Sequence, residues 1–106
     1  MHEAGLVADA LASALAAAPA GRVQRVVLEV ADPVELSVDA LLMHLHIALS
    51  GRGLAGVPVA VRVAPVRCPA CASEATPQLG QAFCAACGWP LPRVDGVPVR
   101  IKAATS

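Results

Sequence analysis

The 106-residue sequence predicts an α+β fold: a three-stranded sheet with two helices on one face and an inserted lobe built on four cysteines. Three observations carry this expectation. Apolar residues recur at spacings of three and four in two segments, and they alternate with polar ones in three others. All four cysteines fall within residues 68–87, through which no long apolar period runs.

The first helix is predicted over Ala4–Ala17. Leu6, Val7, Ala10, Leu11, Ala14 and Leu15 fill about half of a helical wheel, with Asp9 and Ser13 on the other half. Pro19 and Gly21 are its stop signals. "VQRVVLEV" then alternates, with Val26, Leu28 and Val30 facing one way and Arg25 and Glu29 the other. Ser37 is placed to cap a second helix, "VDALLMHLHIAL", whose apolar face is Val38, Leu41, Leu42, Leu45, Ala48 and Leu49. "SGRGLAG" ends it. In "VPVAVRVAPV", Val57, Val59, Val61 and Val63 share a face, and Pro58 marks an edge or a strand entrance. After the cysteines, "GVPVRIKA" reads as a last strand with Val97, Val99 and Ile101 on its apolar face. Two helices on one face of the sheet would cover all three apolar strand faces. The strands flanking the insert are expected to pair antiparallel, with the cysteine lobe at their far end. The chain thus divides into residues 1–66 plus 93–106 and an inserted unit, 67–92.

Composition narrows the function classes. The chain is 57% hydrophobic, mostly Ala and Val, with one Trp and one Phe, so its core is built from small side chains. Basic and acidic residues balance at eight each, which argues against a nucleic-acid surface. "LVADALASALAAAPAG" has the look of a secretion signal, but no Lys or Arg precedes it, Glu3 is acidic and Asp9 interrupts it. No apolar run is long enough to span a bilayer. The expectation is a cytoplasmic protein, in which paired cysteines are more often metal ligands than disulfides.

"CPAC" and "CAAC" place Cys68, Cys71, Cys84 and Cys87 as C-x2-C, twelve residues, C-x2-C. Two residues between sulfurs allow a tight turn to aim both at one point, and two such turns supply the tetrahedron of a closed structural zinc site, a zinc-ribbon lobe. Gly88 permits the positive φ such turns need. Ala72 holds the equivalent place after Cys71 and makes that turn less ideal. Neither pair is followed by a helical pattern, which disfavours a redox pair; tetrathiolate iron would use the same four sulfurs. Between the pairs only Leu79 and Phe83 are sizeable apolar groups, too few to offset chain entropy, so a metal is expected to fold the lobe.

The opening "MHE" raises a second metal question. The Met1 amine, the backbone nitrogen of His2 and its imidazole can close fused chelate rings around one ion, with the Glu3 backbone nitrogen as a fourth donor. That planar all-nitrogen set suits Ni(II) or Cu(II). A solvated terminus is the plain alternative, and Glu3 also suits a first helical turn. His44 and His46 point about 200° apart on a helix, so they do not share an ion and read as surface or boundary residues.

An amino-terminal "MHE" opening a helix, this order of elements and the inserted cysteine lobe together resemble the HypA/HybF family of hydrogenase-maturation nickel metallochaperones. "VVLEV", "GLAGVPVAVRV" and "DGVPVRIK" are further echoes, and the resemblance spans the whole chain. It implies a protein that is not an enzyme. Its nickel site would be His2 with the Met1 amine and neighbouring backbone nitrogens, and Glu3 would affect transfer or partner contact. Zinc would sit on Cys68, Cys71, Cys84 and Cys87. The implied partners are the GTPase HypB and the large subunit of [NiFe]-hydrogenase. Ala72 in place of a glycine, His46 in place of an acid, His44 and His46 in place of a more aromatic run, and a short, unacidic tail depart from the pattern. A small zinc-ribbon module contacting protein or RNA is the alternative; neutral charge and few aromatics count against RNA.

Overall fold

The computed structural model describes residues 3–18, 22–92 and 96–105. Helix α1 (Glu3–Ala16) begins with an acid in its first turn, where the unpaired N–H groups favour negative charge. Val7 and Leu11 are buried, with Leu6, Ala10, Ala14 and Leu15 packed beside them. Asp9 and Ser13 are exposed, so the expected face is the observed one. The stop signals Pro19 and Gly21 lie outside the described residues.

Strand β1 (Val23–Val30) leads through a loop into helix α2 (Val38–Gly51). Ser37 caps α2: it is extended (φ −78°, ψ 116°) and its hydroxyl oxygen accepts the Ala40 N–H at 3.2 Å. This satisfies one of the donors a helix start leaves open. Leu41, Leu45 and Leu49 recur every fourth residue and are all buried. At the other end the Arg52 and Leu54 N–H groups both donate to the Leu49 carbonyl, and Gly53 turns the chain away with φ +74°.

Strands β2 (Val59–Val63) and β5 (Val99–Thr105) flank β1, in the order β2-β1-β5. β1 runs parallel to β2, joined by the α2 crossover, and antiparallel to β5. Two short strands, β3 (Val66–Arg67) and β4 (Glu74–Ala75), form a separate hairpin in the insert. The expected pairing of the two strands flanking the insert is therefore corrected: they are antiparallel in sense, but β1 lies between them. Both outer strands are entered through a proline, Pro58 and Pro98, which brings a carbonyl but no N–H. Each proline accepts from β1 or its continuation, Val26 N–H to Pro58 and Ala31 N–H to Pro98. β1, whose Val26, Val27, Leu28 and Val30 are all buried, is the strand bonded along both edges.

The register puts Val26, Leu28 and Val30 on the helix side against Val59, Val61 and Val63 on one neighbour and Ala103, Ile101 and Val99 on the other. Leu11, Leu28, Leu41 and Leu45 are fully buried there. Val61 keeps the expected face, and one expected apolar position, Val97, is corrected. Val61 is 36% exposed because β2 is an edge, and Val97 is 55% exposed because it precedes β5 and no strand neighbour covers it. β5 also runs on to Thr105, pairing with the start of β1.

The insert leaves from the end of β2 and returns at the start of β5. It touches the body through the Gly80 N–H, which donates to the Val34 carbonyl at 2.8 Å. The radius of gyration, 15.3 Å, exceeds the ~13 Å of a compact chain this long, so the lobe stands off the body. The expected boundary at residue 93 lies outside the described residues. Among those described, no helix is long and apolar enough to cross a membrane.

Candidate metal centre

The lobe is two copies of one turn. In the first, the Cys68 N–H donates to the Ser73 carbonyl at 2.9 Å, and the Ala72 N–H donates back to the Cys68 carbonyl at 2.9 Å. In the second, Cys84 donates to Trp89 at 2.7 Å and Gly88 to Cys84 at 2.8 Å. The spacing is identical: one bond closes five residues on, the other four. The first turn is carried by the β3–β4 hairpin, where Val66 faces Ala75 and Arg67 faces Glu74. The second is carried by a single bridge between Phe83 and Pro90.

Each turn needs a left-handed residue directly after its second cysteine. Gly88 has φ +78°, which costs glycine nothing. Ala72 has φ +62°, the one positive φ outside glycine among the described residues. The local strain of a Cβ in that region is on the order of 1–2 kcal/mol. An alanine held there means the turn is imposed by what lies around it, not by its own preference.

The two turns bring their sulfurs together. All four Sγ atoms lie within 4.8 Å of one another. Cys68 Sγ is 3.6 Å from Cys87 Sγ, and Cys71 Sγ is 3.7 Å from Cys84 Sγ, so the close pairs run between turns. Four thiolates held ~2.3 Å from one ion at tetrahedral angles would lie ~3.8 Å apart. The donor set and its spacing fit a tetrathiolate ion. Cys68 and Cys84 are buried while Cys71 and Cys87 are exposed, so one sulfur of each turn faces the lobe and one faces solvent.

Electrostatics point the same way. Hydrogen bonding by Ser73, first through its hydroxyl 3.3 Å from Cys71 Sγ and then through its backbone, holds the Cys71 thiol down at about 6. At Cys87 the Trp89 backbone favours the thiolate, but desolvation and the adjacent Cys68, Cys71 and Cys84 push it up to about 12. Four negative sulfurs this close repel one another, and a cation among them removes that penalty.

Sequence reasoning identified the four cysteines and the glycine but missed Ser73. Its signal was the repeat itself: Ser73 and Trp89 each stand five residues after the first cysteine of a turn and supply the equivalent carbonyl. Among the described residues the four cysteines are the one group of metal-ligating side chains so gathered. His44 is half-buried and His46 exposed on α2, as expected of boundary and surface residues. Glu3 is half-buried at the first position of α1. Met1 and His2, the other expected nickel ligands, lie outside the described residues.

Comparison with known proteins follows the same line. The family model for hydrogenase/urease nickel incorporation, metallochaperone, hypA matches residues 1–105. The solution structure of the Ni metallochaperone HypA from Helicobacter pylori superposes with a TM-score of 0.54, covering 100% of both chains at 13% identity. That likeness extends to the fold. No curated protein sequence matches this chain. Two helices beside a mixed three-stranded sheet, a four-cysteine lobe, and a family match spanning body and lobe alike lead to one assignment: the chain belongs to the HypA family of nickel-incorporation metallochaperones for hydrogenase and urease.

Proposed function

We propose that this chaperone carries Ni(II) as cargo on its first residues and a resident zinc in its lobe. The nickel ligands are the Met1 amine, the His2 imidazole and the backbone nitrogens of His2 and Glu3. The observation that supports this is "MHE" running directly into α1, whose first residue is Glu3, in a chain of a nickel-incorporation family. An amine, an imidazole and two amide nitrogens make a planar nitrogen set that favours Ni(II) over Zn(II). The amide nitrogens must lose protons to ligate, so affinity falls as pH falls. A site with one side chain and otherwise backbone donors at a chain end is easily dismantled, as delivery requires. Glu3 affects the transfer of the ion or the contact with a partner.

Cys68, Cys71, Cys84 and Cys87 hold the zinc, whose charge offsets that of their thiolates and locks the two turns together. Residues 1–66 and 93–106 form the nickel unit and 67–92 the zinc unit. The chaperone acts in the cytoplasm with a HypB-type GTPase, and the large subunit of [NiFe]-hydrogenase receives the nickel. The family's description also includes urease, and the delivery chemistry is the same for either recipient.

Calorimetric titration of Ni(II) into the zinc-loaded chain and its His2→Ala variant tests the reading. One equivalent is expected to bind the native chain, and binding is expected to be lost in the variant. Equal binding by both would remove His2 from the site. No binding by either would favour a zinc-ribbon interaction module instead.

A further inference from the structure

Among the described residues no helix packs on the side of the sheet that faces away from α1 and α2, and its charge is one-sided. The register sets Glu29 of β1 opposite Arg62 of β2 and Arg100 of β5. One step along, Val27 lies opposite Ala60 and Lys102, and Arg25 lies opposite Ala104. This face therefore presents Arg25, Arg62, Arg100 and Lys102 around a single acid. Glu29 is already engaged: its Oε1 is 3.3 Å from Lys102 Nζ and closed to solvent. Among the described residues Arg25, Arg62 and Arg100 have no acidic partner, and all three are exposed. Between them lie two short side chains, Ala60, half-buried, and Ala104, exposed, while Val27 is closed over.

In a chain with as many acids as bases, three uncompensated guanidinium groups on one sheet face are a segregation of charge. Beside Glu29 a cavity of about 430 Å³ opens at the end of β1 and β2, with Arg62 and Arg100 both on its wall. Guanidinium forks match carboxylates two bonds at a time. Arg62 and Arg100 stand two strand spacings apart, ~10 Å. Acids two turns apart on one helix face are ~10.5 Å apart.

We propose that this face docks an acidic segment of a partner protein, its carboxylates seated on Arg62 and Arg100 and its apolar side chains on Ala60 and Ala104. Nucleic acid is the poorer match. The face carries no aromatic side chain on which bases stack, and the chain has no net charge to hold a phosphate backbone. The proposal does not depend on where nickel binds.

The test uses full-length, zinc-loaded protein and a decaglutamate peptide, followed by amide chemical shifts at low and at physiological salt. The expected shifts fall on the outward residues of β1, β2 and β5. Affinity should drop on the order of tenfold in Arg62→Gln/Arg100→Gln and shrink with salt. An Arg52→Gln control at the end of α2 should bind as the native chain does. Because the mapping is done on the native chain, poor folding of the double variant does not blunt the test. Shifts centred elsewhere, equal loss in the control, no peptide binding, or tighter binding of a ten-base-pair duplex or phosphatidylserine vesicles would each overturn the proposal.

Discussion

In the body, Leu11, Leu28, Leu41 and Leu45 are fully buried, and the large apolar residues facing the helix–sheet interior are all at least half covered. In the lobe, Leu79, Phe83 and Trp89 are each more than half exposed, and what is buried is Val66, Pro77 and two cysteines. The body is held by apolar contact between leucines and valines. The lobe has two short hydrogen-bonded turns and a cluster of sulfurs, and no side-chain core of its own. The same chain therefore uses two sources of stability, and they should fail under different treatments.

The largest effect should come from removing the metal. A structural tetrathiolate ion contributes on the order of 10–16 kcal/mol, and little else orders residues 68–92. Chelation, or Cys84→Ser, should abolish amide protection throughout the lobe while β1, β5, α1 and α2 stay protected. Metal analysis should read one zinc per native chain and none in the variant. Protection lost in both regions together would mean that the lobe and body are not energetically distinct.

Next in size is the converse perturbation. Leu45→Ala empties a fully buried site and should destabilise the body by ~2–5 kcal/mol, measured by denaturant unfolding, with zinc content unchanged. A change in metal stoichiometry would break the separation between the regions.

The two turns sharpen the comparison within the lobe. Ala72→Gly relieves a positive φ and should tighten metal retention by about 1 kcal/mol, roughly fivefold in a competition assay. Gly88→Ala should loosen it by a similar amount. A Cβ at Gly88 meets nothing within 4 Å, so that effect is one of backbone preference alone. If the two substitutions moved retention the same way, the turns would not be equivalent.

The smallest predicted effect is at the cap of α2. Ser37→Ala should cost ~1 kcal/mol of body stability and leave the metal untouched.

How much of this was legible differs by region. The helices were readable because burial repeats every three to four residues, and Ser37 and the leucines of α2 fall where that period puts them. The four cysteines were readable because metal chemistry fixes their spacing, and Gly88 and Ala72 follow from the turn that spacing requires. Strand order was not, because alternation reports which face is buried and says nothing about which strand is the neighbour. Val97 was misjudged for a related reason: its alternation continues past the point where partners end. The β3–β4 hairpin is too short to leave a pattern, and Ser73, which acts on Cys71 through its hydroxyl and its backbone, stands outside the cysteine spacing that drew attention to the lobe.

The central claim is that the cargo is gripped by the leading nitrogens of the polypeptide while the lobe keeps its own ion. Calorimetric nickel titration of the zinc-loaded chain with its α-amine acetylated tests this most directly. The account predicts that nickel binding disappears while the zinc content stays at one per chain. Unchanged nickel affinity in the acetylated protein would contradict it.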